Sequence, residues 1–286
     1  MIDRRSIVAA LPLLLAAASP PRRFDLDAAN RAAEKASGGR VGLAVHDTAT
    51  GRRYSHRGDE RFPMASTFKA LLAAAVLERI DAGQERLERA LPVGKADIVG
   101  HSPFAEPRVG ASATVAELSE ATITLSDNAA ANLLLPLVGG PAGFTAFLRR
   151  IGDPVTRLDR YETMMSEGTP GDPRDTTTPD AAAAAWERVL LGDVLAPASR
   201  ALLTRWLIAN TTGDTRLRAG LPKGWVVGDK TGTGGHGSVN DIAIVWPTRA
   251  AKGPVFIASF VRGGTAPAET LYLVHADLAR AIAAAI

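Results

Sequence analysis

Phe62-Pro63-Met64-Ala65-Ser66-Thr67-Phe68-Lys69 opens a run whose apolar residues fall at Phe68, Leu71, Leu72, Ala75, Val76 and Ile80. That is the spacing of one face of a helix. Pro63 has no amide hydrogen and a preset φ, so the reading places it in the first helical turn. Ser66 and Lys69 then stand three apart on one face. A serine hydroxyl attacks poorly until a base removes its proton. A lysine one turn away supplies that base where its pKa is lowered, and the helix dipole and burial both act in that direction. Ser-x-x-Lys is also common on solvated helix surfaces, so its meaning rests on the rest of the chain.

Around this helix, which is expected to run to about residue 82, the sequence is β-rich at both ends and helical between. Residues 26–36 read as a helix closed by Gly38-Gly39, 41–47 as a strand, Thr50-Gly51 as a turn and 52–56 as the return strand. Downstream, Thr114-Val115-Ala116-Glu117 has the form of a capping box. Residues 129–138 read as a helix that Pro136 must kink or end, and Pro141 and Gly152 bracket another. Helices are expected to start at Thr178-Pro179 and at Pro197. Residues 152–178 lack periodicity, and loops of that length in a compact domain are usually functional or disordered. Strands return at 225–233, 240–246 and 255–261, before a last helix over 268–286.

This order predicts an α/β chain of the α+β type: a five-stranded antiparallel sheet flanked by the terminal helices, with an all-helical domain inserted and the active site between them. Residues 19–61 and 210–286 would form the sheet domain, and 62–209 the helical domain, including an active-site loop over 157–175. Arg4 and Arg5 precede the apolar run 7–18, which ends in Ala16-Ala17-Ala18-Ser19. Residues 1–18 therefore read as a signal peptide, through the general or the twin-arginine route, and place the mature protein in the periplasm or outside the cell.

Composition narrows the chemistry. The 286 residues are 46% hydrophobic, enough for a substantial core. The formal charge is +3 and the basic residues are scattered, which argues against nucleic-acid binding. There is no cysteine, and the five histidines show no metal-ligand spacing. No glycine-rich loop joins a strand to a helix as a phosphate cradle. The expectation is an enzyme without metal or cofactor, a monomer acting on a small molecule and not associated with a membrane in mature form.

Three further groups carry chemistry. Ser126-Asp127-Asn128 lies between helical segments; it suits a helix N-cap, and it also offers a second hydroxyl for proton transfer and an amide for a substrate carbonyl. Lys230-Thr231-Gly232-Thr233 ends a strand. Lys230 supplies positive charge, the threonine hydroxyls suit a carboxylate, and Gly232 would let a ligand approach closely. The period-two rule puts Lys230 and Thr231 on opposite faces. In the long loop Glu162 is the candidate general base, and Arg160 and Asp175 can close the loop as an ion pair.

Together these stretches resemble the class A serine β-lactamases, whose motifs are Ser-x-x-Lys, Ser-Asp-Asn and Lys-Thr-Gly with a glutamate acting through a water. Here they are Ser66–Lys69, Ser126–Asn128 and Lys230–Gly232, in the family's order; Arg160–Glu162 and Arg174–Thr178 extend the likeness over nearly all the mature chain. The resemblance implies hydrolysis of penicillins and cephalosporins, and hence antibiotic resistance. It implies acylation of Ser66, an oxyanion hole from the Ser66 and Thr233 amides, and proton transfer by Lys69, Glu162 and Ser126. It further implies binding of the substrate's side-chain amide by Asn128 and of its carboxylate by Lys230, Thr231 and Thr233. A penicillin-binding D,D-peptidase shares the short motifs but lacks the Glu162 loop; a non-catalytic β-lactam sensor would acylate without turnover.

Several positions depart from the common pattern. Ser166, four after Glu162, replaces a usual asparagine. His101 stands where an aromatic often borders the cleft. Ala65 and Gly234 occupy the positions of a cysteine pair typical of many carbapenem-hydrolysing members, whereas Thr233 and Arg216 resemble residues of those same enzymes. The arginine that many relatives carry after the Lys-Thr-Gly turn is absent from Ser238-Val239-Asn240. Arg216 is the expected substitute, in direct contact with the substrate carboxylate, with Arg218 as the neighbouring alternative.

Overall fold

The structure is a computed structural model and describes residues 24–248 and 253–286. The expected signal peptide lies outside the described residues. Five strands form one antiparallel sheet: β1 (Arg40–Asp47), β2 (Arg52–His56), and then, from the end of the chain, β7 (Val226–Gly234), β8 (Ser238–Trp246) and β9 (Val255–Arg262). Their order is β2-β1-β9-β8-β7. The outer strand β2 alternates in burial, while β8 and β9 are buried almost throughout because both sheet faces are covered.

Alternation along the strands feeds two cores. Leu43, Val45, Ile257 and Val261 pack on one face against α1 (Asp27–Ser37) and α9 (Ala268–Ala285), which contribute Ala33, Leu271, Val274, Leu278 and Ile282. Ala44, Phe256, Ala258 and Phe260 point the other way, into the core of the helical segment. At the centre of that segment is α2 (Phe68–Asp81), buried on every side from Phe68 to Leu77. Around it lie α3 (Val115–Thr124), α4 (Asn128–Leu134), α5 (Gly140–Arg150), α6 (Pro179–Leu191) and α7 (Pro197–Ile208). Among the described residues, no single helix is long and apolar enough to cross a membrane.

Some local expectations are corrected. Pro63 does not start the helix. It ends a two-residue strand, β3 (Phe62–Pro63), which pairs with β6 (Thr176–Thr177) and ties the approach to Ser66 to the far end of the long loop. The segment bearing Ser66 is then a 3₁₀ turn, Ala65–Thr67, before α2 begins. The helix read over 129–138 does end early, as Pro136 requires: α4 stops at Leu134 and a 3₁₀ turn, Leu135–Val138, follows. A short pair, β4 (Ala90–Pro92) with β5 (Ser112–Thr114), and the four-residue helix α8 (Leu217–Gly220) had no signal in the sequence. The capping box forms as read: the Glu117 amide donates to Thr114 Oγ1 at 3.2 Å, and the Thr114 amide to Glu117 Oε2 at 2.8 Å.

Candidate active site

Between the helical segment and the β7 edge lies a cleft of about 440 Å³ whose walls include Ser66, Ser126, Glu162 and Thr233. Ser66 sits in its 3₁₀ turn after Ala65, which has φ +43°. A positive φ is unfavourable for an alanine and persists only where the surroundings enforce it. Two contacts do so. Asn240 Nδ2 donates to the Pro63 and Met64 carbonyls at 2.8 and 3.0 Å. Gly232 brings β7 against the turn, since a Cβ there would lie 2.8 Å from Met64 O and 3.1 Å from Thr67 Cγ2. The close approach expected at Gly232 is therefore to the turn bearing Ser66.

Lys69 is wholly buried beneath Ser66. Its Nζ donates to Ser66 Oγ (3.0 Å), the Ser126 carbonyl (2.9 Å) and Asn128 Oδ1 (2.5 Å), and lies 3.1 Å from Glu162 Oε1. Burial lowers its pKa against the opposing pull of the Glu162 carboxylate. Ser66 Oγ donates in turn to Glu162 Oε1 at 3.4 Å. The hydroxyl thus sits between an amine that burial inclines to lose its proton and a carboxylate that accepts its hydrogen bond.

The 157–175 loop delivers Glu162. Asn132, one turn along α4 from Asn128, clamps the Glu162 backbone from both directions: Nδ2 donates to its carbonyl at 2.8 Å, and Oδ1 accepts its amide at 2.9 Å. Ser166 Oγ donates to Glu162 Oε2 at 3.1 Å. At the base of the loop Arg160 Nε meets Asp175 Oδ2 at 2.6 Å, and Asp175 Oδ1 accepts the amides of Asp159 and Arg160 at 2.7 and 3.0 Å. Arg160 Nη1 also reaches Glu167 Oε2 at 2.5 Å.

Ser126-Asp127-Asn128 combines both of its readings. Asp127 caps α4 through the Ala130 amide (2.8 Å) and holds the Phe104 and Ala105 amides, while Ser126 and Asn128 face the cleft. His101, exposed on the rim, engages the Leu125 carbonyl through Nε2 at 2.9 Å.

On β7, Lys230 is also wholly buried, and its Nζ donates to Ser126 Oγ (3.0 Å) and to the Thr231 carbonyl (2.9 Å). Burial and the nearby Lys69 charge both depress its pKa. Lys230 leaves the sheet on the Ser126 side. Thr231 faces the opposite way, as period two requires, and its Oγ1 meets Thr212 Oγ1 at 2.6 Å. Ala65 and Gly234 are neighbours: a Cβ on Gly234 would lie 3.5 Å from Ala65 Cβ.

Arg216 borders the cleft but is 5% exposed. Its Nη1 donates to the Gly232 and Asn240 carbonyls at 2.8 and 2.7 Å, its Nη2 to Thr233 Oγ1 at 2.6 Å, and its guanidinium stacks 4.5 Å from the Tyr272 ring. One of its acceptors, the Thr233 hydroxyl, also belongs to the wall of the cleft. Arg218 turns elsewhere, onto the buried Asp229. Of the supporting residues given no role from the sequence, Asn132 had a signal, its four-residue offset from Asn128 on one helix face. Asn240, Thr212 and Tyr272 had none.

Among the described residues, no three of His, Asp and Glu gather as a metal site. The arrangement can activate a serine, hold a second hydroxyl beside a buried ammonium and present a base from a braced loop, which are the parts of an acyl-transfer site.

Comparison with known proteins agrees. Residues 25–286 match the Beta-lactamase enzyme family. Beta-lactamase L2 of Stenotrophomonas maltophilia is 49% identical over 278 residues, covering 95% of this chain and 91% of the relative. Beta-lactamase FAR-1 of Nocardia farcinica is 48% identical, over 89% and 81%. Among solved structures, an ancestral class A β-lactamase superposes with a TM-score of 0.89 at 58% identity, over 92% of this chain and all of that one. A β-lactamase from Xanthomonas campestris pv. campestris gives 0.88 at 48%, over 90% and 96%. With its fold, its cleft and these relatives in accord, the chain belongs to the class A β-lactamase family.

Proposed function

We propose that this chain hydrolyses the amide bond of penicillins and cephalosporins through an acyl-enzyme on Ser66, and so confers resistance to them. The observation that carries this reading is the placement of Ser66 Oγ 3.0 Å from Lys69 Nζ and 3.4 Å from Glu162 Oε1. As Ser66 attacks the ring carbonyl, its proton passes into the coupled Lys69–Glu162 pair. The amides of Ser66 and Thr233 receive the negative charge on the carbonyl oxygen. Ser126 hands a proton to the departing ring nitrogen and recovers one from the Lys69–Glu162 pair, which leaves Glu162 a carboxylate again; Lys230, 3.0 Å from the Ser126 hydroxyl, stabilises it as it does so. Glu162 then takes a proton from the water that attacks the ester and returns it to Ser66 Oγ.

Asn128 receives the substrate's side-chain amide. Thr231 and Thr233 bind its carboxylate, backed by Lys230 and Arg216. His101 and Ser166 border the bound substrate, and the Arg160–Asp175 pair holds the loop. Glu162 on this braced loop separates the reading from a D,D-peptidase or a sensor, because it provides for release of the acyl group. Arg4 and Arg5 before the apolar run 7–18 support export to the periplasm or beyond, and the mature enzyme acts as a monomer on a small molecule. Nitrocefin turnover tests the reading. Steady hydrolysis by the wild type, lost in a folded Ser66→Ala, is expected; one stoichiometric burst without turnover would instead mark a sensor.

A further inference from the structure

Under the distal half of the loop lies a second cavity, of about 490 Å³, that shares no lining residue with the catalytic cleft. It is roofed by the distal half of the loop, residues 168–173, and floored by the ends of β1 and β9. Its volume suits a drug-sized molecule, for which sites are commonly ~300–1,000 Å³.

The lining combines two chemistries. Pro63, Pro170 and Pro173 give it apolar walls, while Arg40, Arg61 and Arg262 face a single lining carboxylate, Asp172. Asp172 is already held by Arg174 at 2.7 Å, which lowers its pKa to about 2. Arg40 and Arg262 share one carboxylate just outside the cavity: their Nε and Nη2 lie 2.9 and 2.8 Å from Glu60 Oε2, and Arg57 takes the same group at 3.3 Å. Arg61 has no such neutraliser. Its Nη1 donates to two uncharged oxygens, Val155 O at 3.2 Å and Thr176 Oγ1 at 3.0 Å, and it forms no ion pair among the described residues.

A half-buried guanidinium without a carboxylate, beside an apolar wall, matches an anion with an apolar body. Arginine's planar fork grips a carboxylate or sulfonate through paired donors. We propose that this cavity is a second ligand site for an amphiphilic monoanion, a carboxylate or sulfonate on an aromatic or acyl body. The charged end meets Arg61 and the body lies along the three prolines.

The probe is 8-anilino-1-naphthalenesulfonate, titrated by fluorescence into the folded protein. One saturable site is expected. Arg61→Gln should weaken it ~10-fold or more, the scale of a lost charged hydrogen bond, and Thr169→Trp, which fills the cavity, should abolish it. Saturating probe should leave the KM for nitrocefin unchanged, because the two cavities are separate. Equal affinity in both variants, no saturable binding, or competition with nitrocefin would overturn the proposal. If Arg61→Gln does not fold, Thr169→Trp decides alone. The fluorescence titration needs no turnover, so it stands whatever the outcome for hydrolysis.

Discussion

Ser166 Oγ donates to Glu162 Oε2 across 3.1 Å, leaving Oε1 of the same carboxylate to face Ser66 and Lys69. The carboxylate is oriented from behind by a serine where many relatives carry an asparagine. A hydrogen bond to a charged group contributes ~1.5–3 kcal/mol. Ser166→Ala should therefore slow penicillin turnover by roughly 10-fold or more, mainly in deacylation. Stopped-flow separation of the two steps checks this; an unchanged deacylation rate would show that the bond does not position Glu162.

Asp175 is a structural keystone. It pairs with Arg160, accepts two loop amides, and is 1% exposed with φ +56°. Breaking a buried ion pair costs ~3–5 kcal/mol. Because Arg160 keeps Glu167, Asp175→Asn is expected at the low end, a fall in Tm of about 5–10 °C. The loosened loop should also admit bulkier cephalosporins, raising their kcat/KM relative to benzylpenicillin. Unchanged melting together with an unchanged substrate ratio would count against this role.

Arg216 should act through Thr233. Arg216→Ala is expected to lower kcat/KM by ~10- to 100-fold, the effect of one charge-assisted hydrogen bond. Thr233→Val should lose a similar amount, and the double variant little more, since residues in one network do not add. Arg218→Ala should spare kcat/KM but lower Tm, because it strands the buried Asp229. Full additivity in the cycle would mean that the two residues act separately.

The fold was legible because period-two strands at both ends and helical spacing between them are local signals. Ser66, both lysines and Glu162 stood in recognisable short motifs. What escaped was set by tertiary contact. Pro63 looked like a helix start, yet pairing with Thr176 made it a strand end. Arg216 could be assigned to the cleft, but its partners could not be read, because its three acceptors come from β7 and β8 and meet it only in the folded chain. Asn240 supports the Ser66 turn from 174 positions away in sequence, and no local pattern marks such a residue.

Stability should fall in mild acid. His275 is fully buried beside Arg216, with Nδ1 2.7 Å from Ser259 Oγ, and burial lowers its pKa from 6.5 to about 3. Between those values the unfolded chain binds a proton that the folded chain does not. The stabilisation is therefore complete above about pH 6.5 and is lost as pH falls toward 3, by up to ~1.4 kcal/mol per unit for one group. His275→Gln should flatten the decline in unfolding free energy from pH 6.5 to 4.5. An identical slope in both proteins would remove His275 as its source.

The central claim is that Ser66 is acylated and Glu162 releases the acyl group. Glu162→Gln keeps the size of the side chain but removes the base, which typically costs ~10²–10⁴-fold in the step it serves. Mixed with benzylpenicillin and read by intact mass, this variant should carry one covalent penicilloyl group, mapped to the peptide containing Ser66, while the wild type carries none at steady state. An unmodified Glu162→Gln protein that turns over penicillin at the wild-type rate, or an adduct on any other residue, would contradict the account.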